Sequence, residues 1–167
     1  MTTPLAAAIS HCFRRNGLYA LRLVEGLSAD QWLAQPVPGR VMNHPSWILS
    51  HLNVYNVFGT CLARGVPYED PAGHAHGKNS RPLADVAAYE PPEQLVARYS
   101  AIHDQALAAL GDATETLLAS PNPLERKRAE HPTVGDMLVM LLVKHESVHL
   151  GQLSAWRRAM GLPPAAI

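Results

Sequence analysis

The segment from His145 to His149 reads His-Glu-Ser-Val-His and holds the residues best suited to metal chemistry. Two histidines four positions apart on a helix lie on the same face, one turn from each other, so both rings can reach one ion. Neutral imidazole is a common ligand for zinc, nickel and similar divalent metals. The segment also fits the HExxH pattern, in which the glutamate, here Glu146, acts as general base on a metal-bound water. Two ligands alone make a weak site, so the function depends on where the third ligand lies in the chain.

A zinc-peptidase interpretation requires a third ligand downstream, either a glutamate on a later helix or a further histidine. Residues 150–167 contain no histidine, aspartate or glutamate. The sequence also lacks a strand pattern for the sheet edge on which such enzymes hold a peptide. The third ligand must therefore come from an earlier part of the chain. Glu146 is then expected either to flank the metal or to pair with a neighbouring arginine or lysine.

Four stretches have the apolar periodicity of amphipathic helices. Thr3 and Pro4 suit the start of the first, and Thr133 and Asp136 have the spacing of a capping box at the start of the last. No segment alternates strongly enough to predict a strand. We therefore predict an all-α fold, a four-helix bundle with long connecting loops, as one domain over residues 1–167. The predicted helices run from about Pro4 to Leu27, Pro45 to Arg64, Pro91 to Leu118 and Thr133 to Met160.

The same periodicity directs three histidines into one core. His51 lies on the inward stripe of the second predicted helix, and His145 and His149 lie on that of the fourth. An unpaired polar ring in a core costs about 1–3 kcal/mol, a penalty that convergence on a metal would remove. Three histidine ligands with one open position form a catalytic zinc site, whereas structural zinc usually has four protein ligands. A hydrogen-bonded core histidine is the alternative for each ring.

Other polar residues on these stripes are candidates for supporting the ligands. Gln152 follows His149 by three positions and could hydrogen-bond a ligand, or it could be satisfied by a neighbouring helix. Tyr55 and Asn16 have the same two interpretations, and Glu146 is a further candidate. The predicted inward stripe of the fourth helix is Val134, Leu138, Leu141, His145, Val148 and Gln152, and that of the first is Leu5, Ile9, Cys12, Asn16, Tyr19 and Leu23.

Two sequence motifs resemble those of a known family. The second predicted helix contains a W-x-x-x-H-L run within NHPSWILSHLNVYN, and the fourth contains H-x-x-x-H-x-G-Q within KHESVHLGQL. Together with the segment GLSADQWLAQPVPG, these resemble the DinB/YfiT-like family of metalloenzymes, the DinB superfamily, over essentially the whole chain. The resemblance implies a four-helix bundle that binds a divalent metal, often zinc or nickel, through His51, His145 and His149.

The resemblance also implies a chemistry. Family members with an assigned activity are often transferases or isomerases that use low-molecular-weight thiols such as bacillithiol, mycothiol or glutathione, and many are homodimers. A metal with an open position lowers the pKa of a thiol that binds it, which favours attack on a small-molecule electrophile. Two alternatives remain open at this stage: a noncatalytic bundle or dimer stabilised by its metal, and a hydrolase that uses metal-bound water.

Composition limits the partners. The 14 basic and 14 acidic residues balance, so the charge gives no reason to expect binding to nucleic acid or to an anionic membrane. No apolar run is long enough to cross a bilayer. The two cysteines, Cys12 and Cys61, do not suggest a disulfide framework, and we expect a cytoplasmic protein. We also expect a homodimer, because Trp32, Trp47 and Trp156 could add apolar area at the surface.

Overall fold

A computed structural model describes residues 2–166, and within this range the structure confirms the all-α prediction. None of its helices is both long enough and apolar enough to cross a membrane. The six α-helices are α1 Pro4–Val24, α2 Pro45–Arg64, α3 Pro92–Asp112, α4 Glu115–Ala119, α5 Val134–Leu138 and α6 Glu146–Ala159, with a π-helix at Val139–His145 between the last two. Short 3-10 turns at Ala29–Leu33, Pro71–Gly73, Val86–Ala88 and Glu125–Lys127 lie in the connections.

The ends of α1 and α2 follow from local backbone chemistry. The Thr3 hydroxyl accepts a hydrogen bond from the Ala6 amide, and the His44 ring accepts one from the Trp47 amide, so each helix has a side-chain cap. Helix α1 ends at Val24, earlier than predicted, because Glu25 is extended and Gly26 has a φ of 74°. Helix α2 has its predicted bounds. It ends at Arg64 and is capped by Gly65, which has a φ of 64°.

The prediction of a single third helix is wrong, because the chain forms two helices here, α3 and α4. The backbone of Ala113 is extended, and the Thr114 hydroxyl accepts a hydrogen bond from the Leu117 amide to start α4. A threonine that can cap a new helix competes with continuation of the old one. One face of α3 is nevertheless buried, and it includes Leu95, Tyr99, Ile102, Ala106, Ala109 and Leu110.

The fourth predicted helix is continuous but contains a wide turn. The predicted capping box is present: the Asp136 amide donates to the Thr133 hydroxyl, and the Thr133 amide donates to the Asp136 carboxylate. After α5 the chain forms the π-helix Val139–His145 and then returns to α-helix at Glu146. Such π segments are rare and often occur at functional sites. Here the segment ends at one of the predicted metal ligands.

This wide turn makes part of the predicted fourth stripe wrong. Val148 is 52% exposed and Gln152 is exposed, whereas Glu146 and His149 are buried. A π turn holds more residues than the 3.6 of an α turn, so a stripe extrapolated across it points about one position away from the core. The buried residues of α6 are Glu146, His149, Leu150, Leu153 and Trp156.

The predicted stripe of α1 is also partly wrong. Leu5 and Cys12 are exposed, and the helix instead buries the stripe Ala6, Ile9, Phe13, Gly17, Ala20, Leu23 and Val24. Small residues on this stripe let α1 pack closely on α3 and α6. Cys12 and Cys61 are both free thiols.

The core consists of two apolar clusters, one on either side of the polar layer that contains the histidines. One is built around Phe13, Phe58 and Leu138, and the other around Trp47, Leu52 and Trp156. Trp32, Trp47 and Trp156 are 5%, 4% and 0% exposed, so the expectation that they add apolar surface for a dimer is wrong. Their large apolar area stabilises the interior of the chain itself.

Candidate metal centre

Three imidazole nitrogens meet between α2 and the last helix. The Nε2 atom of His145 lies 3.1 Å from Nε2 of His51 and 3.2 Å from Nε2 of His149. The donor atoms of the three rings all lie within 4.8 Å of one another. His51 and His149 are buried, and His145 is half-buried. The structure therefore brings together the three residues that the sequence predicted as ligands.

The far nitrogens of two rings fix their tautomers. Nδ1 of His51 lies 2.6 Å from the His76 carbonyl oxygen, and Nδ1 of His149 lies 3.0 Å from Oε1 of Gln152. Because these oxygens only accept, each Nδ1 carries the proton, and each Nε2 presents its lone pair toward the other rings. A ring held in this way is ready to bind a cation through Nε2.

His145 differs in this respect. Its Nδ1 atom is buried and has no hydrogen-bond partner among the described residues, whereas its Nε2 faces both other rings. One Nε2 proton on His145 could satisfy only one of the two facing lone pairs. A cation shared by the three nitrogens would satisfy both, so the hydrogen-bonding pattern fits a metal better than a set of core hydrogen bonds.

Aromatic rings hold the imidazoles in place. The Trp47 ring stacks on His51 with centroids 4.7 Å apart and planes at 16°. The Tyr55 ring lies between His51 and His145, with centroid distances of 4.7 Å and 4.6 Å. Because Trp47, His51 and Tyr55 follow at intervals of four on α2, one helix supplies a ligand and the rings on either side of it.

Burial keeps the three rings neutral. Desolvation, followed by the charge of His149, lowers the pKa of His51 to about 4. Desolvation, followed by the charges of His149 and His51, lowers the pKa of His145 to about 3. Desolvation also lowers the pKa of His149, against the hydrogen bond to Gln152. Neutral imidazole is the form that binds metal, so at neutral pH the site loses no affinity to competing protons.

The donor set fits a single divalent ion. Nitrogens held tetrahedrally at the usual zinc–nitrogen distance of about 2.0–2.1 Å are about 3.3 Å apart, close to the two shorter separations here. Among the described residues, no cysteine, aspartate, glutamate or fourth histidine joins the cluster. Three neutral nitrogens, with no fourth ligand of these residue types in the described part of the chain, would leave at least one coordination position for another molecule.

The predicted supporting residues have different surroundings. Gln152 contacts His149, and Tyr55 packs on two of the rings, as described above. Asn16 does not contact a ligand: its amide donates to Oγ of Ser147 at 3.1 Å and to the Val143 carbonyl at 3.5 Å. It thus links α1 to one residue before and one residue after His145.

Glu146 is not part of the cluster that the three rings form. It is completely buried, and its Oε1 accepts hydrogen bonds from Tyr99, His103 and Asn56. The expectation of an arginine or lysine partner is wrong, because no arginine or lysine within residues 2–166 forms a hydrogen bond or an ion pair with it. The HExxH interpretation needs a glutamate that reaches a molecule at the metal, whereas the hydrogen bonds of this carboxylate go to three donors outside the histidine cluster.

The sequence did not indicate the contacts of two connecting segments. The loop before α3 supplies the His76 carbonyl to His51, and the loop before α2 supplies Asn43, whose amide donates to Oε1 of Gln152 at 2.9 Å. The His76 ring instead stacks on Tyr89. Every residue has a backbone carbonyl, so the identity of the residue at position 76 does not predict that its carbonyl binds His51.

A cleft of about 1070 Å³ lies between α2, α3 and the connecting loop, and is lined by Asn53, Val57, His74, His76 and Arg98 among others. The three histidines do not line it, and the segment around His76 lies between the cleft and His51. The cleft is therefore distinct from the metal centre.

A helical bundle in which three imidazoles converge, with no fourth histidine, cysteine or carboxylate beside them among the described residues, is a candidate single-metal protein. Comparison with family profiles gives the same class. The profile of the DinB superfamily matches residues 13–153, so the chain belongs to this superfamily. No curated protein matches the chain.

Proposed function

We propose that the protein is a metal-dependent transferase that uses a low-molecular-weight thiol on a small-molecule substrate. The observation that carries the proposal is the convergence of the Nε2 atoms of His51, His145 and His149 with no fourth histidine, cysteine, aspartate or glutamate in the cluster among the described residues. A structural metal site would be expected to fill its coordination with protein ligands. When bound, a divalent ion in such a site supplies Lewis acidity and lowers the pKa of a coordinating thiol.

The chain's own residues prepare the site for this role. His76 and Gln152 orient two ligands through their Nδ1 protons, and Trp47 and Tyr55 restrict the rings sterically. Zinc or nickel is the proposed metal, since an all-imidazole set suits both. The proposal places the protein in the cytoplasm, where low-molecular-weight thiols stay reduced, as a homodimer that acts on neither nucleic acid nor membrane.

The hydrolase alternative has less support. In the HExxH mechanism the glutamate takes a proton from water at the metal. Glu146 has no exposed surface, and its Oε1 is held by three donors that are not part of the histidine cluster. A hydrolase on this site would therefore need another base, and the described residues place no carboxylate in the cluster.

The test combines metal analysis with a thiol assay. We expect elemental analysis to find close to one zinc or nickel per chain in the wild type and a loss of most of it in His51→Ala. His11→Ala, a change on the exposed face of α1, is the matched control and should keep the wild-type metal content. The metal-loaded proteins are then incubated with bacillithiol, mycothiol or glutathione and the electrophile monochlorobimane.

We expect one thiol to be consumed faster by the metal-loaded wild type than by its chelator-treated form or by His51→Ala. If the wild type binds metal stoichiometrically but accelerates the reaction of none of the three thiols, the transferase proposal is wrong and a noncatalytic metal site is favoured. If His51→Ala keeps its metal, the three-histidine centre itself is wrong.

A further inference from the structure

Next to the three histidines lies a second polar cluster, which the proposed reaction does not use. It consists of Glu146, Asn56, Tyr99 and His103, and we call it the carboxylate cluster. All four residues are at least 95% buried, and Glu146 and Asn56 are 0% and 1% exposed. The Oε1 atom of Glu146 lies 2.7 Å from the Tyr99 hydroxyl, 2.7 Å from Nε2 of His103 and 3.3 Å from Nδ2 of Asn56.

A buried carboxylate is costly to a fold unless its hydrogen bonds are good. Apolar residues in place of both the glutamate and its three donors would avoid the cost of desolvation, so stability alone does not explain the cluster. The cluster instead has a particular topology. Its carboxylate is on α6, one donor is on α2 and two donors are on α3. It therefore joins the two helices that supply metal ligands to each other and to a third helix.

The position of the carboxylate in the chain is the second observation. Glu146 directly follows His145, at the residue where the π-helix Val139–His145 ends and α6 begins. A π turn followed by an α turn changes the direction in which later side chains point, so the rotation of α6 has to be fixed by contacts at the junction. Asn56 is on α2 a little more than one turn after His51, so this bond joins the two ligand-bearing helices close to the site.

The ring of His103 is tightly packed against α1. The His103 ring stacks on Phe13 with centroids 3.6 Å apart and planes at 7°. Gly17 leaves the space for it: a Cβ atom there would lie 2.7 Å from two atoms of the ring. The Tyr99 hydroxyl stays protonated and donates, because burial, followed by the negative charge of Glu146, raises its pKa well above 10.0. Helix α1 therefore also takes part in holding the donors.

We propose that Glu146 is a positioning residue: its carboxylate, held by Asn56, Tyr99 and His103, sets the rotation of α6 after the π-helix and so aims His145 and His149 at His51. It contacts none of the three rings and acts on the metal only through their placement. This inference rests on metal binding by the three histidines, and its test includes a measurement that needs no metal.

The experiment compares Glu146→Leu, Glu146→Gln and a matched control in the full chain. Leucine removes the acceptor, whereas glutamine keeps an oxygen for the three donors. Thr60→Val is the control, because it removes another buried hydrogen bond of α2, from the Thr60 hydroxyl to the Asn56 carbonyl, without touching the carboxylate. Cobalt(II) is titrated into each protein, and its visible absorption reports the coordination geometry. Hydrogen exchange of the amides of residues 145–150 is measured with chelator present.

We expect Glu146→Leu to bind cobalt about 10–100-fold more weakly than the wild type, which is the usual effect of substituting residues that orient metal ligands. It should also lose the absorption typical of tetrahedral cobalt. Glu146→Gln should recover most of the affinity and the absorption. In the chelator-treated proteins, Glu146→Leu should speed exchange at residues 145–150, whereas Thr60→Val should leave both cobalt binding and this local exchange close to the wild type.

Two results would overturn the proposal: a folded Glu146→Leu with wild-type cobalt affinity and absorption, or equal effects of Glu146→Leu and Thr60→Val. If Glu146→Leu does not fold, Tyr99→Phe removes one of the three donors, and unchanged cobalt affinity and exchange in that variant also overturn it. If the wild type binds no cobalt but Glu146→Leu still speeds exchange at residues 145–150, metal binding is wrong and the positioning role stands.

Discussion

Acid should destabilise the metal-free protein in a pH range where few other groups titrate. The pKa values of His51 and His145 fall from an ordinary 6.5 to about 4 and about 3 because both rings are buried beside other histidines. At pH 5 the unfolded chain therefore binds a proton at each position, while the folded protein leaves both rings neutral. Stability is fully present above the unfolded pKa and is lost as the pH falls toward the folded values.

The size of the effect follows from these pKa values. At pH 5 each unfolded ring lies 1.5 units below its ordinary pKa of 6.5, which corresponds to about 2 kcal/mol at about 1.4 kcal/mol per unit. The two rings together should lower the free energy of unfolding by about 4 kcal/mol between pH 7 and pH 5. The lowered pKa of His149 adds to the loss in the same direction. Asp70 and Asp136, whose pKa values are also lowered, lose their contributions only at more acidic pH.

Urea unfolding followed by circular dichroism at pH 7 and pH 5, with chelator present, measures this loss. The double variant His51→Asn/His145→Asn removes the two titrating rings, so it should lose about 4 kcal/mol less than the wild type over the same interval. Saturating zinc should make the acid sensitivity of the wild type larger, because protons then compete with a bound ion. The reasoning is refuted if wild type and double variant lose the same stability between the two pH values.

Two further predictions concern side chains around the site. Gly17→Ala should destabilise the fold by about 1–3 kcal/mol, because the new Cβ would lie 2.7 Å from the His103 ring. The control is Gly111→Ala, where a Cβ meets nothing within 4 Å, and it should be neutral or stabilise by up to about 1 kcal/mol. If the two variants change the thermal unfolding temperature equally, the close packing of Gly17 against His103 is wrong. Gln152→Leu removes the acceptor for Nδ1 of His149 and should weaken zinc about tenfold or more in a chelator competition, whereas Gln152→Glu keeps it. Wild-type affinity in the leucine variant would show that this hydrogen bond does not support the ligand.

The three candidate ligands could be predicted because their signals are local and independent. The spacing of His145 and His149 places both on one face of any helix, and a moderate error in the register of that helix does not separate them. His51 lies on α2, the helix whose predicted bounds agree with the structure, and it is buried as predicted. That helix has a proline at its first turn, a glycine at its end and no irregular turn between them. Regular helices are the elements for which a 3.6-residue period holds along the whole length.

The rest of the site depends on departures from that period. The sequence of the last helix gives no warning that Val139–His145 forms a wide turn, so extrapolation placed Val148 and Gln152 inward and left Glu146 at the edge. The true arrangement buries a carboxylate that no local rule would place in a core, and its donors come from α2 and α3, about 40 to 90 positions earlier in the chain. The π-helix and the carboxylate are therefore best understood as one feature. The π-helix places Glu146 next to α2 and α3. The three hydrogen bonds that Glu146 accepts from these helices stabilise the π-helix, which is unfavourable on its own.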